Sequence, residues 1–131
     1  MEKVAFKMYL KNGCEEEYKK RHREIWPELS LLLKDAGIKE YSIFWDKETN
    51  ILFAVQAVGE HTSQDMGANE IVQKWWRYMA DLMETNMDYS PVSDPLQLVF
   101  HLDWTAFRIY KRQDNYKETR IWILSLKNII S

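Results

Sequence analysis

Tyr18, His22 and Trp26 carry the side chains best suited to chemistry, and they lie four residues apart. Residues at this spacing share one face of an α-helix. An imidazole can take up and release a proton near neutral pH, a phenol can donate a hydrogen bond to a substrate oxygen, and an indole offers an apolar plate. The same three types also pack helices onto sheets, so the spacing leaves both a catalytic site and ordinary packing open.

Trp75 and Trp76 form the second aromatic feature, inside a segment with helical periodicity. Neighbouring helix residues point about 100° apart, so both rings can face inward only if the buried stripe is wide. An indole face packs well against the C–H face of a sugar, and its N–H can bind a hydroxyl. Tyr41 lies on a predicted strand that could face the same helices. Sugar contacts and a bulky core are both compatible with these three residues.

The remaining histidines, His61 and His101, and the lone Cys14 indicate no further site. The three histidines of the chain lack the spacing of a metal site. A single cysteine excludes a disulfide framework and a cysteine-rich zinc site. The sequence contains no glycine-rich phosphate loop, P-loop or nucleophile elbow. We therefore expect neither a metal nor another cofactor.

Hydrophobic patterns predict the elements that would position these residues. Alternation predicts strands, and apolar residues three and four apart predict helices. The predicted elements are strand 3–10, a helical region 14–36 that Pro27 kinks or divides, strands 38–46 and 51–58, helix 69–83 and strand 96–103. This β-α-β-β-α-β order indicates an α+β, ferredoxin-like fold with a four-stranded antiparallel sheet and its helices on one face. The other sheet face would be bare and partly apolar, so a homodimer is expected.

Length and composition limit the class of protein. The chain has 131 residues, 46% of them hydrophobic and 29% charged, which fits one folded domain rather than a disordered chain. No stretch of about 18 apolar residues is present, so no membrane span is expected. The N-terminal residues resemble a strand and not a signal peptide, and a cytoplasmic location is expected. A net charge of -2 gives no general case for nucleic-acid binding.

Charge is distributed unevenly along the chain. Residues 105–131 contain six basic and two acidic residues, which leaves 12 of the 18 basic and 18 of the 20 acidic residues to residues 1–104. The end of the chain is also strongly apolar, although the apolar stretch is too short to cross a membrane. We therefore predict a domain at residues 1–104 followed by an atypical basic and apolar C-terminal extension at residues 105–131.

Five segments of residues 1–104 resemble the L-rhamnose mutarotase family. They are KVAFKMYL, EEYKKRHREIWPEL, YSIFWDKETNILFA, QKWWRYMADLM and SPVSDPLQLVFHLDW. The resemblance implies a dimeric α+β barrel of ferredoxin-like subunits that interconverts the α and β anomers of L-rhamnose without a cofactor. It also implies that His22 is the proton donor and that Tyr18, Tyr41, Trp75 and Trp76 bind the sugar.

Two other functions are compatible with this fold. One is a small monooxygenase that acts on a quinol or haem, because such sites also use histidine and aromatic residues between helices and sheet. A purified protein without colour or haem would argue against it. The other is a non-catalytic binding or dimerisation module, in which the aromatic residues only fill the core.

Overall fold

A computed structural model describes residues 2–59 and 61–102, and the predicted extension at 105–131 lies outside these residues. The elements in chain order are β1 (Glu2–Tyr9), α1 (Glu15–Arg23), α2 (Pro27–Asp35), β2 (Ile38–Trp45), β3 (Ile51–Val58), a short 3₁₀ helix (Ser63–Met66), α3 (Glu70–Met79) and β4 (Asp94–Leu96). The sheet, the helices and the candidate site belong to the compact unit that ends at Leu98, and Val99 begins a second unit. In the part of the chain that the structure describes, no helix is long and apolar enough to cross a membrane.

The four strands form one antiparallel sheet in the order β2-β3-β1-β4. This order and the helical segments between the strands confirm the predicted ferredoxin-like fold. Alternate residues of β1 and β3, such as Phe6, Met8 and Leu52, are buried beneath the helices, as the period of two predicts. β3 is a central strand that pairs on both sides, and apart from Gln56 it is apolar on both faces.

The helical region predicted at 14–36 is divided by Pro27 into α1 and α2. Trp26, the residue before the proline, has an extended backbone with φ -62° and ψ 130°. A proline ring disfavours a helical conformation in the preceding residue and suits the first position of a new helix. Trp26 therefore leaves the helical stripe on which the spacing placed it, whereas Tyr18 and His22 remain one turn apart on α1.

The ends of two predicted elements were wrong. The last strand of the sheet is Asp94–Leu96, which pairs with β1, and not 96–103. Hydrophobic alternation continues after Leu96, but the described residues that follow form no further strand pairing in the sheet. Alternation alone does not reveal whether a segment has a neighbouring strand to pair with. The helix predicted to reach residue 83 ends at Met79, since Leu82 and Met83 turn back to pair with Lys11 and Leu10, directly after β1.

Candidate active site

The five predicted site residues come together at one cavity between the helices and the sheet. Tyr18 and His22 reach it from α1, Tyr41 from β2, and Trp75 and Trp76 from α3. Its volume of about 1190 Å³ exceeds that of most small-molecule pockets, so a monosaccharide would fill only part of it. Their chemical roles remain predictions, but the structure places all five around one space.

His22 is oriented by a hydrogen bond to its own helix. Its Nδ1 lies 2.9 Å from the backbone oxygen of Tyr18. A carbonyl oxygen can only accept, so Nδ1 carries the proton and Nε2 has a free lone pair in the neutral ring. The Tyr18 ring stacks at a tilt, 4.3 Å from the imidazole. Burial lowers the pKa of His22, and the bond to the Tyr18 carbonyl offsets only part of that effect.

Trp75 is the centre of an aromatic cluster behind the imidazole. Its ring meets His22 edge-on at 5.5 Å and meets Trp26 edge-on at 5.1 Å, and Tyr78 lies 5.7 Å away. Edge-to-face geometry at these separations is favourable for aromatic rings. Trp26 does not line the cavity. It packs edge-on against Trp75, so the predicted apolar plate is a packing residue and not part of the cavity wall.

Trp76 is held against the turn that precedes α3. A Cβ atom built on Gly67 would lie 3.0 Å from two carbon atoms of the Trp76 ring, closer than side chains normally pack. Trp76 is only 9% exposed, and the space open to its ring is the cavity that it lines. The backbone of Gly67 therefore forms a wall that fixes how far the indole reaches into the cavity.

Replacing Gly67 with alanine should push the Trp76 ring into the cavity and lower the free energy of unfolding by about 1–3 kcal/mol, the usual cost of overpacking. Gly59→Ala is a matched control, because a Cβ at that position meets no atom within 4 Å. Thermal unfolding of both variants tests the contact. Equal unfolding midpoints in the two variants would contradict it.

Tyr41 lies beside a buried polar pair that the sequence did not reveal. Gln56 of β3 is fully buried, and Ser63 of the 3₁₀ helix is almost so. The backbone N–H of Ser63 donates to Gln56 Oε1 at 3.1 Å, and Gln56 Nε2 donates to Ser63 Oγ. Burial raises the pKa of Tyr41, although hydrogen bonds from Ser63 and Gln56 reduce the rise. The one available signal was a glutamine inside the otherwise apolar strand ILFAVQAV.

Arg21 also escaped the sequence analysis, and it fixes α1 against the end of α3. Its guanidinium binds both carboxylate oxygens of Asp81, at 2.8 and 3.2 Å, and the backbone oxygen of Tyr78 at 2.5 Å. Its centre lies 4.4 Å from that tyrosine ring, and Glu17 accepts from Nε at 3.0 Å. Because Tyr18 and His22 flank Arg21, the clamp sets their position relative to Trp75.

We expect Arg21→Lys to lower the unfolding midpoint by about 4–8 °C, the shift that corresponds to about 1 kcal/mol in a domain of this size. Lysine keeps the charge but loses the planar fork that binds Asp81 at two points. Arg77→Lys, on the exposed side of α3, is the control. Differential scanning calorimetry of both variants provides the measurement, and an unchanged midpoint in Arg21→Lys would exclude the clamp.

The other reactive residues considered from the sequence lie elsewhere. Cys14 packs against the core just before α1, and His61 is on an exposed loop. His101 is exposed in the second unit. Within residues 2–59 and 61–102, no group of three potential metal ligands comes together.

Known proteins resemble the chain in both sequence and structure. The family model described as L-rhamnose mutarotase matches residues 3–102. L-Rhamnose mutarotases of Phocaeicola vulgatus and Bacteroides thetaiotaomicron are 64% and 65% identical to it over 104 residues, which cover 79% of this chain and 100% of each relative. The crystal structure of L-rhamnose mutarotase FA22100 from Formosa agariphila matches with a TM-score of 0.74 and 54% identity, over 79% of this chain and 100% of that one.

These similarities extend over all the elements that surround the cavity. They confirm the family that the five sequence segments indicated, and they set aside the small monooxygenase and the non-catalytic module. The chain belongs to the L-rhamnose mutarotase family.

Proposed function

We propose that this chain interconverts the α and β anomers of L-rhamnose and that Nε2 of His22 moves the proton. One observation carries the assignment of the atom. The Nδ1 proton of His22 is engaged by the Tyr18 carbonyl, so the lone pair of the neutral ring is at Nε2. Because the ring lines the cavity, Nε2 is the available nitrogen for a bound sugar.

In the proposed reaction, neutral Nε2 takes the proton of the anomeric hydroxyl and delivers it to the ring oxygen. The C1–O5 bond breaks as the C1–O1 carbonyl forms, which yields the open-chain aldehyde and regenerates the neutral imidazole. Both oxygens are attached to C1, so one nitrogen can serve both in turn. Rotation of the aldehyde and the reverse transfer close the ring on the other face. His22 thus donates to the ring oxygen and also acts as the base.

The remaining cavity residues are proposed to bind and orient the sugar. Trp75 and Trp76 offer apolar surfaces for the C–H groups and the C6 methyl group. The Tyr18 and Tyr41 hydroxyls are proposed to bind sugar oxygens. Burial raises the pKa of both phenols, so each remains protonated at neutral pH and can donate a hydrogen bond.

The mechanism makes the pH dependence of kcat/KM a test of His22. The resting ring must be neutral to accept the first proton, so activity should fall as pH drops through the pKa of His22. That pKa is lowered by burial, which puts the inflection below the ordinary histidine value of about 6.5. The rate should stay level from neutral pH to at least about pH 10, since both tyrosine pKa values are raised. A rate that rises on acidification would instead indicate that the imidazolium is the resting form.

We also propose that the chain acts as a homodimer through the sheet face opposite the helices. Phe44 of β2 is 61% exposed there, and it lies directly across from Phe53 of β3. An aromatic pair on a bare sheet face favours a covering partner. Analytical ultracentrifugation should give the mass of a dimer, and Phe44→Glu should give a monomer. A monomeric wild-type protein would exclude this arrangement.

Residues 1–104 are proposed to contain the whole activity. The relatives from Phocaeicola vulgatus and Bacteroides thetaiotaomicron align over their full length with 104 residues of this chain, which supports the boundary. A chain ending at Trp104 should therefore retain rhamnose anomer exchange, and loss of the activity from folded protein would contradict the boundary. A cytoplasmic location and the absence of nucleic-acid partners remain predictions, which fractionation and gel-shift measurements would test.

A further inference from the structure

The cavity is also lined by four cationic side chains that the proposed anomer exchange does not use. They are Lys19 and Arg23 of α1, Lys34 of the last turn of α2 and Lys39 of β2, and together they form the basic rim. All four are exposed, and exposed lysine and arginine side chains keep their charged ends in water. The four positive charges therefore lie on the solvent side of the cavity.

The α1 part of the basic rim runs beside the proposed proton-transfer site. Lys19 directly follows Tyr18, and Arg23 directly follows His22. Residues four apart share one helix face, and neighbouring residues point about 100° apart. Both pairs line the same cavity. The proposed mechanism places the anomeric carbon at His22, so a group attached to that carbon would lie at the end of the sugar nearest the α1 cations.

A bulge at the start of β2 accompanies the lysine that this strand contributes. Ile38 and Glu40 pair with consecutive residues of β3, so Lys39 between them has no partner in the strand pairing. Bulges commonly redirect a side chain beside a functional site. Lys39 lines the cavity, as does Tyr41 two residues later.

Carboxylates leave the basic rim largely uncompensated. Glu40 is the one acidic residue among the described residues that line the cavity, and its carboxylate lies 3.9 Å from Lys3 Nζ. Lys19 Nζ lies 3.9 Å from the carboxylate of Glu16, an exposed pair of a kind that contributes little. Within residues 2–59 and 61–102, the other three cations of the basic rim form no ion pair.

Lys19 is held in place over the ring of Trp45. Its Nζ lies 5.4 Å from the centre of that ring, which is within the range of a cation–π contact. Trp45 Nε1 donates to Asn50 Oδ1 at 3.2 Å, and Asn50 Nδ2 donates to Asn12 Oδ1 at 3.3 Å. A side chain that is already ordered loses less conformational entropy when it binds a ligand.

Charge and space together indicate the ligand of the basic rim. The cavity volume of about 1190 Å³ leaves space beside a monosaccharide. Several cations from three elements suit a doubly charged phosphate group with its free oxygens, whereas a single carboxylate could be held by one arginine. A cleft lined by charges of one sign also raises the local concentration of ligands of the opposite sign.

We propose that the basic rim binds the phosphate group of a sugar 1-phosphate whose ring occupies the same part of the cavity as L-rhamnose. The inference rests on the sugar-binding function proposed for this cavity. A phosphate on the anomeric oxygen prevents formation of the C1–O1 carbonyl, so the ring cannot open. Sugar 1-phosphates would therefore compete with rhamnose and inhibit its anomer exchange.

L-Rhamnose 1-phosphate and methyl α-L-rhamnopyranoside isolate the contribution of the phosphate, because neither ring can open and only one ligand is charged. Both are measured as inhibitors of rhamnose anomer exchange by saturation-transfer NMR at low ionic strength. The phosphate should have an inhibition constant about tenfold lower, since an exposed ion pair contributes up to about fivefold and at least two would form. Equal inhibition constants would overturn the proposal, and so would equally strong inhibition by inorganic phosphate alone.

Charge-removing variants locate the effect in the basic rim. The double variant Lys19→Gln/Arg23→Gln should reduce the tenfold ratio of the two inhibition constants to about threefold or less. Lys34→Gln/Lys39→Gln should also reduce it, and tests the proposal if the first variant does not fold. Lys20→Gln is the matched control, because Lys20 is exposed on α1 but does not line the cavity. An unchanged ratio in the folded double variants would refute the assignment.

Direct binding measurements separate this inference from the proposed function. If the wild-type protein does not exchange the anomers of rhamnose, the proposed function fails, but isothermal titration calorimetry can still compare the two ligands. A preference for the phosphate that disappears at about 1 M salt, where the screening length is about 3 Å, would support the basic rim by itself. Equal affinities at low salt would exclude it.

Discussion

The variant His22→Asn is expected to lose anomer exchange by about 10²–10⁴-fold, the usual contribution of a positioned proton-transfer group. Asparagine can still place an N–H near the Tyr18 carbonyl that His22 Nδ1 now binds at 2.9 Å, so the helix and cavity should survive. It has no group that can take a proton from the anomeric hydroxyl near neutral pH. Saturation-transfer NMR on L-rhamnose measures the exchange rate directly.

The same substitution at another histidine is the control for His22. His61→Asn changes a residue on an exposed loop outside the cavity and should exchange the anomers at the wild-type rate. Circular dichroism establishes whether both variants are folded. Wild-type exchange in folded His22→Asn would rule out the proposed proton-transfer role, and the family activity would then depend on another group.

Trp75→Ala is expected to have the largest effect on stability. Truncation of a buried tryptophan typically costs about 3–5 kcal/mol, which corresponds to a fall of at least about 12 °C in the unfolding midpoint of a domain of this size. The ring contacts His22, Trp26 and Tyr78, so the loss should also release the imidazole. Thermal unfolding followed by circular dichroism tests this, and a midpoint within a few degrees of wild type would contradict it.

Trp75→Phe separates sugar binding from folding. Phenylalanine keeps an aromatic edge for His22 but loses part of the surface that is proposed to contact the sugar, so KM should rise clearly while the fold persists. Trp26→Phe is the matched control, because Trp26 supports Trp75 without lining the cavity. It should lower stability and change KM much less. Equal changes in KM would mean that Trp75 acts only through packing.

Hydrophobic periodicity was sufficient to predict the order of the elements. β1 and β3 bury alternate residues, and α1 keeps Tyr18 and His22 on one face. Periodicity does not determine where a helix or strand ends when tertiary contacts set its last residue. β4 ends at Leu96 although the alternation continues, and α3 ends at Met79 because the following residues pair with Lys11 and Leu10, directly after β1.

The sequence predicted the residues that line the cavity, but it did not predict the residues that hold them in position. The aromatic residues and His22 have distinctive types, and the family segments contain them. Arg21 meets Asp81 across 60 residues, and Gln56 meets Ser63 through a loop that has no periodicity. Such contacts depend on how distant segments return to one another, and no local pattern specifies that.

The edge-on contact between His22 and Trp75 should make the fluorescence of Trp75 depend on the protonation state of His22. An imidazolium quenches the emission of a neighbouring indole, whereas a neutral imidazole does so far less. The centroid separation of 5.5 Å puts the indole within range of that effect. Tryptophan fluorescence, compared between the wild type and Trp75→Phe, would therefore follow the protonation of His22 in the absence of sugar. The protonation state of the proposed catalytic imidazole could therefore be followed without any turnover of sugar.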